Sequence, residues 1–360
     1  MQGEPPLYPN PSALGAGTDW FDLITNNNAS VQNHQLSVRG GTEKINYYIS
    51  GGRFRQNGII NNSDFTRNSV RANISSEVVD KLTLGTQLSF SNSQSNSTAQ
   101  ANPGGQNNDI IGQALNLAPV YDVYNDDGSY NLFIGETQDI NVAAANRLDT
   151  YLDLKNRIIG NIFADYEILE GLTAGMKFGV DIGDAKTRIF QPSTSPNGAG
   201  INGNATLGNL GENYWIFEQT LSYQKTFDRH AINAVIGHTS EEYNRFTNTT
   251  NANSFSTNVT GYYDIGAGAN QTANSGETRW ALDSYMGRIN YKFNDKYLLT
   301  FTGRYDGSSR FAQNSKRAFF PSGALGWRVS DEDFFPAGDL LSDMKLRASY
   351  GLTGEQGIPT

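Results

Sequence analysis

The chain has 360 residues, with 27 Lys and Arg against 36 Asp and Glu for a net charge of −9, no Cys, 18 % charged residues, 4 Trp, 18 Tyr and 19 Phe. The acidic balance excludes a nucleic-acid binder built on a basic stripe, and the missing cysteines exclude a disulfide scaffold, a thiolate nucleophile and a zinc–thiolate centre. No apolar run reaches the ~20 residues of a transmembrane helix, and the opening Met1, Gln2, Gly3, Glu4, Pro5, Pro6 has neither the basic nor the apolar part of a signal peptide.

Period-two alternation recurs down the chain, while helical periodicity is nearly absent. After a segment of residues 1–31, weaker alternation covers about 32–39, 45–55 and 64–75, and then Leu82, Leu84, Leu88 and Phe90 oppose Thr83, Gln87 and Ser89. Residues 109–117, preceded by Asn107 and Asn108 and stopped by Pro119, carry the one helical pattern. Leu154, Ile158, Ile162 and Tyr166 then oppose Lys155, Arg157, Asn161 and Asp165, and Leu172, Ala174, Met176, Phe178 and Val180 oppose Thr173, Lys177 and Asp181. Trp215, Phe217, Leu221 and Tyr223 oppose Glu218, Thr220, Ser222 and Gln224, with a weaker run at 230–244. The strongest runs come last. Tyr285, Ile289, Tyr291 and Phe293 share one face; Tyr297, Leu299 and Phe301 follow, then Leu325 and Trp327, then Leu346 and Tyr350. Arg288, Arg304, Arg328 and Arg347 occupy the other face of those four runs. Twelve strands are expected in all.

The connections alternate in length. Short turns fall near 40–44, 76–81, 169–171, 227–229 and 294–296, and longer segments lie at 56–63, 93–152, 190–213, 246–278 and 306–318. Short turns at one end, long loops at the other and aromatics at strand ends are the pattern of a transmembrane β-barrel. The expected fold is therefore an all-β antiparallel meander. In it 1–31 is an external segment, 32–360 is a partial transmembrane barrel, and the long external loops are 93–152, 190–213 and 246–278. Trp215, Phe217, Tyr223, Tyr285, Tyr291, Phe293, Tyr297, Phe301, Trp327 and Tyr350 are its expected membrane-facing aromatics. With twelve strands and short turns in the periplasm, both termini fall on the outer side, and the chain closes on Ile358, Pro359 and Thr360 without a terminal aromatic. This parity is expected of an internal piece of a larger barrel, not fully closed on itself.

Specific stretches carry a resemblance. Residues 35–52 (QLSVRGGTEKINYYISGG), 56–73 (QNGIINNSDFTRNSVRAN), 306–311 (DGSSRF), 327–334 (WRVSDEDF) and 341–356 (LSDMKLRASYGLTGEQ) resemble, in order, SusC/RagA-type TonB-dependent outer-membrane transporters. The resemblance implies a barrel of about 22 strands in the bacterial outer membrane. It also implies a periplasmic plug and a TonB-contacting segment, both absent from these residues, and a SusD-like surface lipoprotein as partner. The implied cargo is an oligosaccharide or a peptide.

No catalytic constellation and no metal or cofactor site is expected. His34, His230 and His238 lie on different strands without an HExxH spacing. Asn125, Asp126, Asp127 and Gly128 lack the distal Glu of a calcium loop and suit a β-turn. Glu241 with Glu242, Asp181 with Asp184, and Asp331 to Asp333 are carboxylate groupings with nothing to fix a glycosidase separation. The candidate ligand-binding residues are loop aromatics among Asn and Asp: Tyr121, Tyr124, Tyr130, Phe133, Tyr262 and Tyr263. A competing reading is a soluble, secreted β-sandwich that binds glycan or acts as an adhesin. It differs in burying its aromatic faces against each other.

Overall fold

A computed structural model describes residues 15–97, 110–135, 139–335 and 341–357. The elements run in order α1 (Trp20–Ile24), β1 (Val31–Gly41), β2 (Ile45–Asn57), β3 (Asp64–Val79), β4 (Leu82–Asn96), α2 (Ile110–Asn116), β5 (Phe133–Ile134), β6 (Asp139–Ile140), α3 (Val142–Leu148), β7 (Thr150–Leu169), β8 (Leu172–Gln191), α4 (Pro196–Ala199), β9 (Asn204–Phe227), β10 (His230–Phe255), β11 (Gly268–Phe293), β12 (Tyr297–Ser308), β13 (Arg317–Arg328) and β14 (Lys345–Gly351). Among the described residues twelve strands form one continuous sheet in the order β1-β2-β3-β4-β7-β8-β9-β10-β11-β12-β13-β14. Every pairing in it is antiparallel. Each strand therefore pairs with its sequence neighbour in the sheet, as hairpins joined by short turns require. The other sheet among the described residues is the two-stranded β5-β6 ribbon of two residues a strand, too small to cover a face of the twelve-stranded wall, which removes the sandwich reading. The sheet does not close: β1 and β14 are its two edges.

The short turns sit where expected and are set by local backbone chemistry. Asp80 with Lys81, Glu170 with Gly171 and Asp228 with Arg229 are two-residue connections, and Lys81, Gly171 and Asp228 take positive φ. At Gly171 (φ +81°) a Cβ would come within 2.2 Å of the Gln224 carbonyl oxygen, so only glycine fits that crossing.

The opposite end differs from expectation in extent. β9, β10 and β11 run 24, 26 and 26 residues, so strand continues through 204–213, 246–255 and 268–278, which were expected as loop. The connections there shrink to 192–203 and 256–267. These extensions carry polar residues on both faces, such as Asn248, Thr249, Thr250 and Asn251, so no alternation marks them as strand.

The described part of the 93–152 connection between β4 and β7, residues 110–135 and 139–149, folds into a packed cap. The expected helix is α2, with Asp109 itself outside the described residues. A second helix, α3, begins at Asn141, whose side chain accepts from the Ala144 N–H. Helices α1, α2 and α3 bury Trp20, Ile24, Ile60, Ile110, Ile134 and Val142 in the main apolar core of the described chain. Trp20 Nε1 donates to the Ala118 carbonyl at 3.1 Å, and Thr25 bridges to Ile60 in the β2–β3 connection. Residues 15–30 thus pack at the long-loop end of the wall. A smaller cluster of Phe190, Ala205, Ala252 and Phe255 closes the tops of β8 to β10.

Candidate functional site

The wall has two chemically opposed faces. In an antiparallel ladder directly opposed residues share a face. One row sets Tyr223 beside Ala234, Ile289, Phe301, Gly323 and Tyr350, and the row nearest the short turns sets Phe293 beside Tyr297, Trp327 and Leu346. Val180 opposes Trp215 and Phe178 opposes Phe217 on the same face. All ten aromatics expected to face the membrane therefore lie on one face. Arg288, Arg304, Arg328 and Arg347 lie on the other, as the register of β11 to β14 requires. From Phe293 up to Tyr285 the apolar face of β11 spans roughly 27 Å of strand, or roughly 20 Å of height at a tilt of about 40°, close to the ~25 Å band of a bacterial barrel.

The girdle is anchored at its lower rim. Tyr297 O–H and Trp327 Nε1 donate to Glu332 Oε1 at 2.7 and 2.9 Å, and Lys296 Nζ lies 3.2 Å from Glu332 Oε2. The Tyr297 and Trp327 donors, joined by Lys296, hold the Glu332 carboxyl down at about 2. In the sequence this carboxylate stands only as one of the Asp331 to Asp333 grouping, with no spacing signal for its clamp.

The polar face bears a belt of paired charges and rings. Arg157 grips Asp181 in a bidentate pair, Nε to Oδ1 at 2.8 Å and Nη2 to Oδ2 at 2.5 Å. Tyr243 donates to Glu212 at 2.7 Å, Tyr214 donates to Glu241, and Lys177 meets Glu218 at 3.0 Å. The Trp280 ring stacks on Tyr243 at 5.7 Å, with the Arg310 guanidinium 5.4 Å from its centroid. A groove of about 320 Å³ runs past Lys155, Arg157, Asp181, Glu212, Tyr214 and Tyr243. With carboxylates tied to tyrosines and arginines, this belt is suited to passing and hydrogen-bonding a polar solute. The three histidines stay apart in their bonding: His230 Nδ1 meets Tyr291 O–H at 2.6 Å and His238 Nε2 meets Asp283 at 2.7 Å.

The six loop aromatics fall on two caps. On the first, Tyr121 packs against the α1–α3 core and its carbonyl accepts from Thr18 Oγ1 at 2.7 Å, which makes it a structural ring. Tyr124 and Tyr130 face each other at 4.9 Å beside the Asn125–Ser129 turn, where Asp127 Oδ1 accepts from the Ser129 N–H. Phe133 is exposed on β5. On the second, Tyr262 rests against the Phe190 cluster beneath the Arg188 guanidinium at 5.6 Å, and Tyr263 stands 81 % exposed beside it with ring centroids 4.5 Å apart. The hydrogen bond to Tyr263 and partial burial raise the Tyr262 hydroxyl. The structure thus makes two aromatic pairs, not one six-ring site.

A residue the sequence reading passed over links the caps. Asp149, at the C-terminus of α3, accepts from Asn197 Nδ2 of α4 at 2.7 Å, and burial pushes its carboxyl up to about 6.

A girdled, two-faced antiparallel meander with folded caps at its long-loop end is the wall of an outer-membrane β-barrel. Residues 112–355 match the family model described as TonB dependent receptor-like, beta-barrel. The chain belongs to that family, and with it to the bacterial outer membrane. It is 33 % identical over 353 residues to TonB-dependent receptor P3 of Formosa agariphila, covering 95 % of this chain and 34 % of that protein. It is 31 % identical over 377 residues to the TonB-dependent receptor SusC of Bacteroides thetaiotaomicron, covering 97 % and 36 %. The RagAB peptide transporter shares the fold, with a TM-score of 0.78 at 22 % identity over 96 % of this chain and 39 % of that one. The wall is of the SusC/RagA type, and the chain spans about a third of the length of these curated relatives.

Proposed function

We propose that these twelve strands wall the conduit of an active importer that carries oligosaccharides or peptides across the outer membrane. Energy comes from the TonB complex through a periplasmic plug, and a SusD-like surface lipoprotein closes the outer mouth. The carrying observation is the belt of hydrogen-bonded carboxylates, tyrosines and Trp280 on the face away from the lipid girdle, in a chain of this family. The pairs Tyr124 with Tyr130 and Tyr262 with Tyr263, each presenting one exposed ring, are its outer ligand contacts, since flat rings among amides suit both sugar and peptide. The test uses cells whose outer membrane carries the complete receptor. Trp280→Ala with Tyr243→Ala is expected to cut uptake of labelled oligosaccharide or peptide roughly tenfold or more, given the ~1–3 kcal/mol of such contacts, at unchanged receptor abundance. Unchanged uptake of both cargo classes would remove the belt from the transport path.

A further inference from the structure

The upper margin of the lipid-facing side carries a second chemistry on β1 to β4. One ladder row sets Leu36 beside Gly51, Val70 and Phe90. The next row outward sets His34 beside Arg53, Asn68 and Asn92, and the one beyond sets Gln32 beside Arg55, Thr66 and Gln94. Within two residues of strand, hydrocarbon-facing side chains give way to guanidinium and amide groups. Arg53 and Arg55 are exposed, and among the described residues neither has an ion pair, a side-chain hydrogen bond or a ring contact. Two other arginines on this face are engaged: Arg279 meets Glu242 at 2.9 Å and Arg317 meets Asp283 at 3.1 Å. In the two arginine rows the nearest carboxylate is Asp184, four strands away at roughly 19 Å, and Asn156 holds it at 3.1 Å. Asp64, one row further out, accepts from Asn96 at 2.6 Å.

We propose that Arg53 and Arg55 form a binding site for the phosphorylated headgroup of an outer-leaflet glycolipid. Two guanidinium forks on alternate residues of one strand stand roughly 7 Å apart, and each offers a paired donor edge to phosphate oxygens. The apolar row directly beneath gives the same molecule's acyl chains a surface. A free phosphate ion would gain only the exposed charge contact, which is weak in water. The site therefore selects a ligand that is charged at one end and hydrocarbon at the other.

The test takes the complete barrel containing these strands in detergent micelles and follows bound lipid by native mass spectrometry, with phosphorylated lipid A as probe. Arg53→Gln with Arg55→Gln is expected to weaken lipid A retention roughly tenfold, and Arg53→Lys with Arg55→Lys to recover part of it. Arg67→Gln, on the opposite face where Arg67 sits over Phe54, should leave retention unchanged. Dephosphorylated lipid A should bind weakly and equally to wild type and the Gln variant, and inorganic phosphate should not displace lipid A. Both side chains are exposed, so heat-modifiable mobility should be the same for every variant. Equal lipid A retention by wild type and the folded Gln variant would overturn the site. Displacement by inorganic phosphate at the concentration of the lipid would overturn the headgroup assignment.

Discussion

Asp149 and Glu332 are carboxylates pushed in opposite directions, and each gives its end of the wall a different pH response. Burial holds Asp149 up at about 6 against an ordinary 3.8, so the folded cap binds a proton that the unfolded chain releases. Its contribution is fully present below about 4 and is lost as pH rises through 6, on the order of 2–3 kcal/mol. Hydrogen bonds hold Glu332 down at about 2, so the girdle clamp is intact above about 4.5 and is lost as pH falls toward 2. Limited proteolysis across pH 4 to 8 is expected to show the α3–α4 junction opening as pH rises, and Asp149→Asn should flatten that dependence. A junction equally resistant throughout this range would show that Asp149 does not govern it.

At the scale of elements, the upper part of β11 has an unusual boundary. Among the described residues, residues 282–293 pair with β12 while residues 268–280 pair with β10 alone. Ala281 exchanges both bonds with Ser309, its N–H to Oγ at 2.8 Å and its carbonyl to the Ser309 N–H at 2.9 Å, so odd residues turn their backbone groups to that open side. Ser275 is thus on the open side and Asn274 is bonded toward Thr249 of β10. Ser275→Pro is expected to be nearly neutral, because an edge N–H is lost to water alone. Asn274→Pro should cost about 1 kcal/mol or more, read as faster amide exchange in residues 246–252. The same elements show what a sequence can reveal. Where one face meets lipid, as from Tyr285 to Phe293, polarity must alternate and the strand is legible. Where both faces meet water, as at Thr272 to Gly276, nothing enforces alternation, and strand was read as loop. Helix α3 was missed because its Ala-rich run carries only Val142 and Leu148 as large apolar residues to mark a face, whereas the equally short α2 has Ile110, Ile111 and Leu115. Asn141 and the Ala run after it are nonetheless a cap and helix formers in plain view. The loop aromatics were legible as exposed rings. Their pairing depends on which turns bring Tyr124 to Tyr130, and Asp149 meets Asn197 only through the stacking of two caps.

For the whole molecule the two open edges matter most. All but one residue of β1 and every residue of β14 are exposed, and among the described residues each strand is paired along a single side. A sheet in lipid must satisfy every backbone N–H and C=O, because each unpaired group there costs several kcal/mol. Curling β1 against β14 would make a twelve-stranded barrel, but the wall is far from level. It rises from 11 residues at β1 to 26 at β11 and falls to 7 at β14, so the edges have unequal lengths to offer each other. Neither edge carries the proline or bulge that blunts a free strand, although Arg39 and Arg347 give each some charge. Both edges are built to be paired by further strands, in keeping with a chain that spans about a third of its curated relatives. Expressed as these 360 residues alone, the protein is expected to give no heat-modifiable band in the outer membrane, and to be recovered as aggregate or degraded. Supplied with strands that pair β1 and β14, the same residues should yield a heat-modifiable, protease-resistant barrel. A resistant twelve-stranded species from the 360 residues, with β1 amides protected from exchange on both sides, would instead show that the wall closes on itself.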